Sequence, residues 1–151
     1  TDEDVYALRR RIGMVFQNPD NQLVATLVEE DVAFGPENLG LPPEEIRRRV
    51  DKALESVGMG EFVKHAPHLL SGGQKQRIGI ARALYKEAEV LFFDEATSAL
   101  DNATESEITS ALEELSAHLH GITLIIIAHR DSSLRFCDKI INIENYCSST
   151  L

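Results

Sequence analysis

No part of this sequence stays apolar for long. Its longest such run, residues 122–128, falls far short of the ~20 residues a helix needs to cross a bilayer. Nothing at the amino end reads as a signal peptide. Any association with a membrane is therefore expected to pass through a partner, without insertion of this chain. Cysteine is scarce: Cys137 and Cys147 are the only two, with neither a CxxC spacing nor a disulfide framework, which excludes a stapled secreted domain and a cysteine zinc site and suits a reducing cytosol. Positive charge is in deficit, the formal net charge being -10, which excludes a general nucleic-acid binder because affinity for phosphate backbones rests on clustered Lys and Arg. The two short basic runs have simpler readings. Arg9-Arg10-Arg11 reads as a solvated helix end, and Arg47-Arg48-Arg49 follows Glu44-Glu45 at spacings that support a helix. With 43% hydrophobic and 26% charged residues, the 151-residue chain has the balance of one globular domain with a real core.

Periodicity lays out an alternation of strands and helices. The opening TDEDVYALRR reads as helical and leads into a strand over residues 12–16, closed by Gln17-Asn18-Pro19. Residues 23–34 carry apolar and acidic side chains at helical spacing. Pro42 and Pro43 suit the first turn of a helix whose apolar stripe is Ile46, Val50, Leu54 and Val57, stopped at Gly58. Residues 61–70 are irregular, and His65 and His68, with no third ligand nearby, read as loop residues. Ser71 caps a helix over about 72–85, and Val90-Leu91-Phe92-Phe93 is a strand apolar enough for burial in a parallel sheet. A helix follows over 103–119, with Ile108, Leu112, Leu115 and Leu119 on one face, then a strand over 122–128. A last strand is expected over 139–143. This order predicts an α/β fold with crossover helices.

Two segments carry chemistry. In Leu70-Ser71-Gly72-Gly73-Gln74 the paired glycines allow close backbone approach, and the free amides of a helix start attract an anion, phosphate being the expected guest. SGG alone is also a way merely to turn a chain. Val90-Leu91-Phe92-Phe93-Asp94-Glu95 is a buried strand ending in two carboxylates, the placement in which one acid serves a Mg²⁺ shell and the next polarises an attacking water. An acidic pair at a strand end also arises as a solvated turn.

Together, in this order and one helix apart, the two segments resemble the ATP-binding-cassette (ABC) ATPase family, over about residues 6–144. Gln17 is similar to its Q-loop glutamine, residues 70–74 to its signature, and residues 90–95 to its Walker B strand. Ser98-Ala99-Leu100-Asp101 is similar to its D-loop, and His129 to its switch histidine. The resemblance implies a partial P-loop NTPase core with a mostly parallel sheet and a small α-helical subdomain. Residues 1–19 and 86–145 would form the core, about 20–85 the subdomain bearing the signature, and 146–151 an atypical tail. It implies ATP and Mg²⁺ as cofactors. Asp94 would hold Mg²⁺ through water, Glu95 would act as catalytic base, His129 would contact the γ-phosphate, and Gln17 would link metal and water to a transmembrane partner. Ser71, Gly72, Gly73, Gln74 and Asp101 would serve ATP held mainly by a second ABC ATPase subunit in a head-to-tail dimer, on the cytoplasmic face of a membrane.

The region around Val15-Phe16-Gln17-Asn18-Pro19 and residues 29–38 resembles energy-coupling-factor and cobalt or nickel importer ATPases. ATSALD and IAHR in the second half are closer to exporter-type domains. The motif GxxxxGK[ST] occurs nowhere in the 151 residues, so the loop that cradles β- and γ-phosphates is missing from this sequence. The expectation is an importer ATPase subunit cut at both ends and unable to bind ATP alone. The alternatives are a non-catalytic interaction module that keeps the docking and signature faces, and, ranked below both, a DNA-repair-type ABC ATPase, whose long coiled coil has no counterpart here.

Overall fold

The computed structural model describes residues 4, 5, 8, 11–16, 18, 23–38, 40–95, 101–118, 121–135 and 137–143. Three parallel strands, β1 (Ile12–Val15), β2 (Val90–Asp94) and β3 (Thr123–Ile127), stand in the order β1-β2-β3. Between β1 and β2 run α1 (Val28–Asn38), α2 (Pro43–Ser56) and α3 (Gly72–Leu84), and α4 (Asn102–His118) joins β2 to β3. Every parallel pair needs a long crossover, and helices supply both.

Strand alternation sorts the side chains. Val15, Leu91 and Phe93 point into a core completed by Ile78, Ile80 and Ala81 of α3 and by Ile108 and Leu112 of α4. The opposite face carries Met14, half-buried Phe92 and Ile125, which are paired in register, and it is open: Met14, Phe16, Ile125 and Ile127 are 41–47% exposed. α3 can lie close on β1 because position 13 is glycine. A Cβ there would stand 2.6 Å from Leu91 Cδ2 and 2.8 Å from the backbone oxygen of Ala83.

The same core continues into the helical half, where α1, α2 and α3 meet through Val28, Val32, Val50, Leu54 and Ile78. Pro43 opens α2, and Gly58, at φ +68°, turns the chain after it, as the sequence predicts.

Two expectations are corrected. Residues 23–34 are not one helix, because α1 begins only at Val28 and continues to Asn38. The acids explain the late start. The fully buried Asp31 accepts from the backbone amides of Val24 and Ala25 at 2.7 and 3.1 Å, and Glu30 accepts from Thr26 Oγ1 at 2.8 Å. These amides are thus satisfied by side chains, a competition with helix that Asp is well suited to win. Nor do residues 139–143 form a strand. They join no ladder among the described residues, and Ile140, Ile141 and Ile143 stand 59–69% exposed. An apolar run becomes a strand only where an edge receives its amides and carbonyls.

Candidate functional site at the carboxyl ends of the strands

β2 ends at Asp94, which lies beside Ile127 of β3 in register. The next residue breaks the alternation: Glu95 has φ +48°, uncommon for a side chain with a Cβ, and its amide donates to Ile127 O at 3.0 Å. Continued extension would have aimed Glu95 to the same face as buried Phe93. Instead its Oε1 lies 2.7 Å from His129 Nε2, in the turn after β3. Two neighbouring strand ends thus bring a carboxylate pair and an imidazole to one place. The Glu95 side chain is 29% exposed and the His129 side chain 75%, so the pair is open to solvent or ligand. A non-glycine residue held at positive φ in such a place is a recognised mark of function.

The segment carrying His129 is fastened from behind. Arg130 forms an ion pair with Glu105 in the first turn of α4, and Ser133 Oγ donates to the other oxygen of the same carboxylate at 2.9 Å. Glu105 is 5% exposed. Asp101 caps α4, its Oδ1 accepting from the amide of Ala103 at 3.1 Å, and the Glu105 amide donates to Asp101 O at 2.9 Å.

The start of α3 is built as predicted. Ser71 is the N-cap in extended conformation. Its Oγ accepts from the Gln74 amide at 3.3 Å while Gln74 Oε1 accepts from the Ser71 amide at 2.9 Å, a reciprocal capping box. The box engages the amides of Ser71 and Gln74, not those of Gly72 and Gly73. One turn on, the fully buried Gln76 donates from Nε2 to Phe16 O at 3.3 Å, which places the start of α3 at the carboxyl end of β1. The helix start and the Glu95–His129 pair therefore share an end of the sheet. No hydrogen bond joins Ser71, Gly72, Gly73 or Gln74 to Asp94, Glu95 or His129 among the described residues. Gln17 and residues 98–100 lie outside the described residues, as does Cys147.

Among the described residues no cluster of three or more His, Cys, Asp or Glu side chains could hold a metal ion unaided. A Mg²⁺ ion in a phosphate site asks for less, since one or two carboxylates share it with phosphate oxygens and water. Asp94, with Glu95 beside it, fits this use. No helix among the described residues is long and apolar enough to cross a membrane.

The sequence reading does not single out Glu105, Arg130, Ser133 or Gln76. One signal for Glu105 was present. It precedes Ile108 by three and Leu112 by seven, so it lies on the apolar stripe of α4, where an acid must find partners.

Residues 1–98 match the family described as ABC transporter. The energy-coupling factor transporter ATP-binding protein EcfA1 of Clostridium perfringens is 55% identical over 142 residues, covering 94% of this chain and 50% of that protein. The cobalt import ATP-binding protein CbiO of Syntrophus aciditrophicus is 45% identical over 140 residues, covering 93% of this chain and 49% of that protein. Among solved structures, cbiO1 from Clostridium perfringens, described as part of the ABC transporter complex cbiONQ, superposes with a TM-score of 0.80 at 45% identity, covering 86% of this chain and 51% of that one. A dimeric ATP-binding cassette in a post-hydrolysis state bound to ADP and Pi superposes with a TM-score of 0.71 at 32% identity, covering 90% of this chain and 60% of that one. The chain spans about half the length of the curated relatives it matches. With its parallel sheet, its helical half and its family match in agreement, this chain belongs to the ABC transporter family.

Proposed function

We propose that this chain supplies the hydrolytic and signature parts of an ABC importer ATPase of the energy-coupling-factor type, serving uptake of a vitamin or metal ion. The observation that carries the reading is the contact between Glu95 and His129 at adjacent strand ends, next to Asp94. Importer ATP-binding proteins match over 93–95% of the chain, exporter-like ATSALD and IAHR segments included.

In this reading Glu95 accepts a proton from, and orients, the water that attacks the γ-phosphate. His129 holds Glu95 in place and donates to the phosphate. Asp94 would hold Mg²⁺ through water, and the ion when bound would supply charge neutralisation for the phosphates. The positive φ of Glu95, which turns its side chain toward His129 instead of continuing the strand's alternation, supports its role. Gln17 couples the site to a transmembrane subunit on the cytoplasmic face. Ser71, Gly72, Gly73, Gln74 and Asp101 serve the nucleotide of a second subunit in a head-to-tail dimer. Residues 1–19 and 86–145 act as the core and about 20–85 as the helical subdomain. Because GxxxxGK[ST] is missing from the sequence, ATP bound in this site draws its phosphate cradle from elsewhere. The same absence supports a second reading, a non-catalytic module that retains the docking and signature faces.

Two measurements separate these readings. A fluorescent ATP analogue with Mg²⁺ is expected not to bind the 151-residue chain; tight binding would reveal a phosphate cradle within it. Complemented by the amino-terminal half of the Clostridium perfringens relative, the chain is expected to hydrolyse ATP, and Glu95→Gln to lower the rate at least ~100-fold. Complementation that restores binding but no Glu95-dependent hydrolysis would favour the interaction module.

A further inference from the structure

His129 is a three-quarters exposed side chain whose ring meets Glu95 across 2.7 Å. An exposed imidazole has several rotamers, and the strand before it ends at Ile127, so β3 alone does not fix where the ring points. The residues after it are fixed more firmly. Arg130 and Ser133 converge on the two oxygens of one buried carboxylate, Glu105, and the Ser133 amide donates to Arg130 O at 3.2 Å. The residue that bears it sits in the first turn of α4, where its backbone amide bonds Asp101 O at 2.9 Å and Asp101 Oδ1 receives the amide of Ala103. Glu105 touches neither Glu95 nor His129 in any of these contacts. It acts through the turn that carries the ring.

We propose that Glu105 is a positioning residue for the Glu95–His129 pair, and that it ties the Asp101 segment and the His129 turn into one rigid unit. The functional part of this inference rests on the proposed hydrolytic role of that pair; the structural part does not. A buried carboxylate with two side-chain partners on one short turn removes the turn's freedom more effectively than a single contact would. Displacement of Asp101 would pass through the first turn of α4 and the Glu105 side chain to Arg130, the chain neighbour of His129.

The test reads the ring directly. The Hε1–Cε1 NMR signal of His129, assigned by its loss in His129→Gln, is recorded without nucleotide in an Ile125→Lys background, which keeps the open sheet face from self-associating, for the otherwise wild-type chain, for Glu95→Ala and for the Glu105 variants. Glu105→Ala is expected to move that signal about half or more of the way to its Glu95→Ala position. Glu105→Gln keeps its one oxygen for Arg130 and offers its NH₂ to Ser133 Oγ, a hydroxyl that accepts as well as donates, and is expected to move it by less than about a quarter of that distance. An unshifted ring in a folded Glu105→Ala chain would overturn the proposal. Equal displacement by Gln and Ala would overturn it too, since a role in bulk packing would then suffice. If Glu105→Ala does not fold, Ser133→Ala takes its place: partial displacement supports the anchor and none refutes it. Because no nucleotide is present, a positive result stands even if the complemented protein fails to hydrolyse ATP. In that case the function reading fails and the positioning does not.

Discussion

Replacing Asp31 with asparagine changes one charge and almost no volume at a fully buried position. Oδ1 accepts the amides of Val24 and Ala25, and Oδ2 lies 3.3 Å from Arg82 Nη1, an ion pair whose geometry does not also make a hydrogen bond. In Asp31→Asn the carboxamide oxygen still serves the two amides, while its NH₂ faces the Arg82 guanidinium, donor against donor. Breaking one side of a sealed ion pair costs about 3–5 kcal/mol. The Arg82 side chain is 25% exposed and can partly rehydrate, which lowers the expected loss to about 2–3 kcal/mol. Asp31→Ala also abandons both amides, and the total then rises to about 4–5 kcal/mol. Either is a large share of the ~5–15 kcal/mol by which domains are usually stable. Urea unfolding followed by circular dichroism measures both, with a lower midpoint and an unchanged slope expected. Hydrogen exchange at Val24 and Ala25 should stay slow in the asparagine variant and become fast in the alanine one. An asparagine variant within about 0.5 kcal/mol of wild type would refute the ion-pair argument. Equal losses in the two variants would refute the assignment of Oδ1 to the two amides.

Gly13→Ala should destabilise the chain by about 1–3 kcal/mol, because the new Cβ meets a backbone oxygen that cannot swing aside; thermal melting checks this, and an unchanged melting temperature would show that α3 can shift at no cost. Hydrogen bonds from Arg48 and then Arg49 hold the Glu45 carboxyl down at about 2, and those from Lys64 and then Arg47 lower that of Glu29. A folded-state value below the unfolded one means that these pairs stabilise the fold above the ordinary 4.5 and lose that contribution as pH falls toward about 2. Acid titration of Arg48→Gln should therefore show a shallower loss of stability in that window than the wild type. The open sheet face of Met14, Phe16, Ile125 and Ile127 should drive self-association at micromolar concentration, relieved by Ile125→Lys; sedimentation of the wild-type chain as a monodisperse monomer would contradict this.

The parts of the fold legible in the sequence are those decided by nearest neighbours in the chain. Pro43 at a helix start, Ser71 as the cap of the next long helix, and the apolar block 90–93 each carry strong local physics, and all three stand as read. The Glu95–His129 pair was legible only through the family resemblance, since nothing local says that two strand ends 34 residues apart will meet. The misreadings arose where a distant partner decides. Residues 23–27 have the composition of a helix, but Asp31 takes their amides, and residues 139–143 have that of a strand but no edge to join. Glu105 lies between these cases. Its position on an apolar stripe announces a partner, while the identity of that partner, Arg130, depends on a turn set by β3.

The hydrogen bond from Gln76 to Phe16 O has a mechanical consequence. It ties the last extended residue before Gln17 to the second turn of α3, deep enough that opening it would strand a buried amide at a cost of about 1–3 kcal/mol. A push on the chain just after β1 is therefore not absorbed there. It is expected to be felt at Gln76, one turn on from the glycines that open α3.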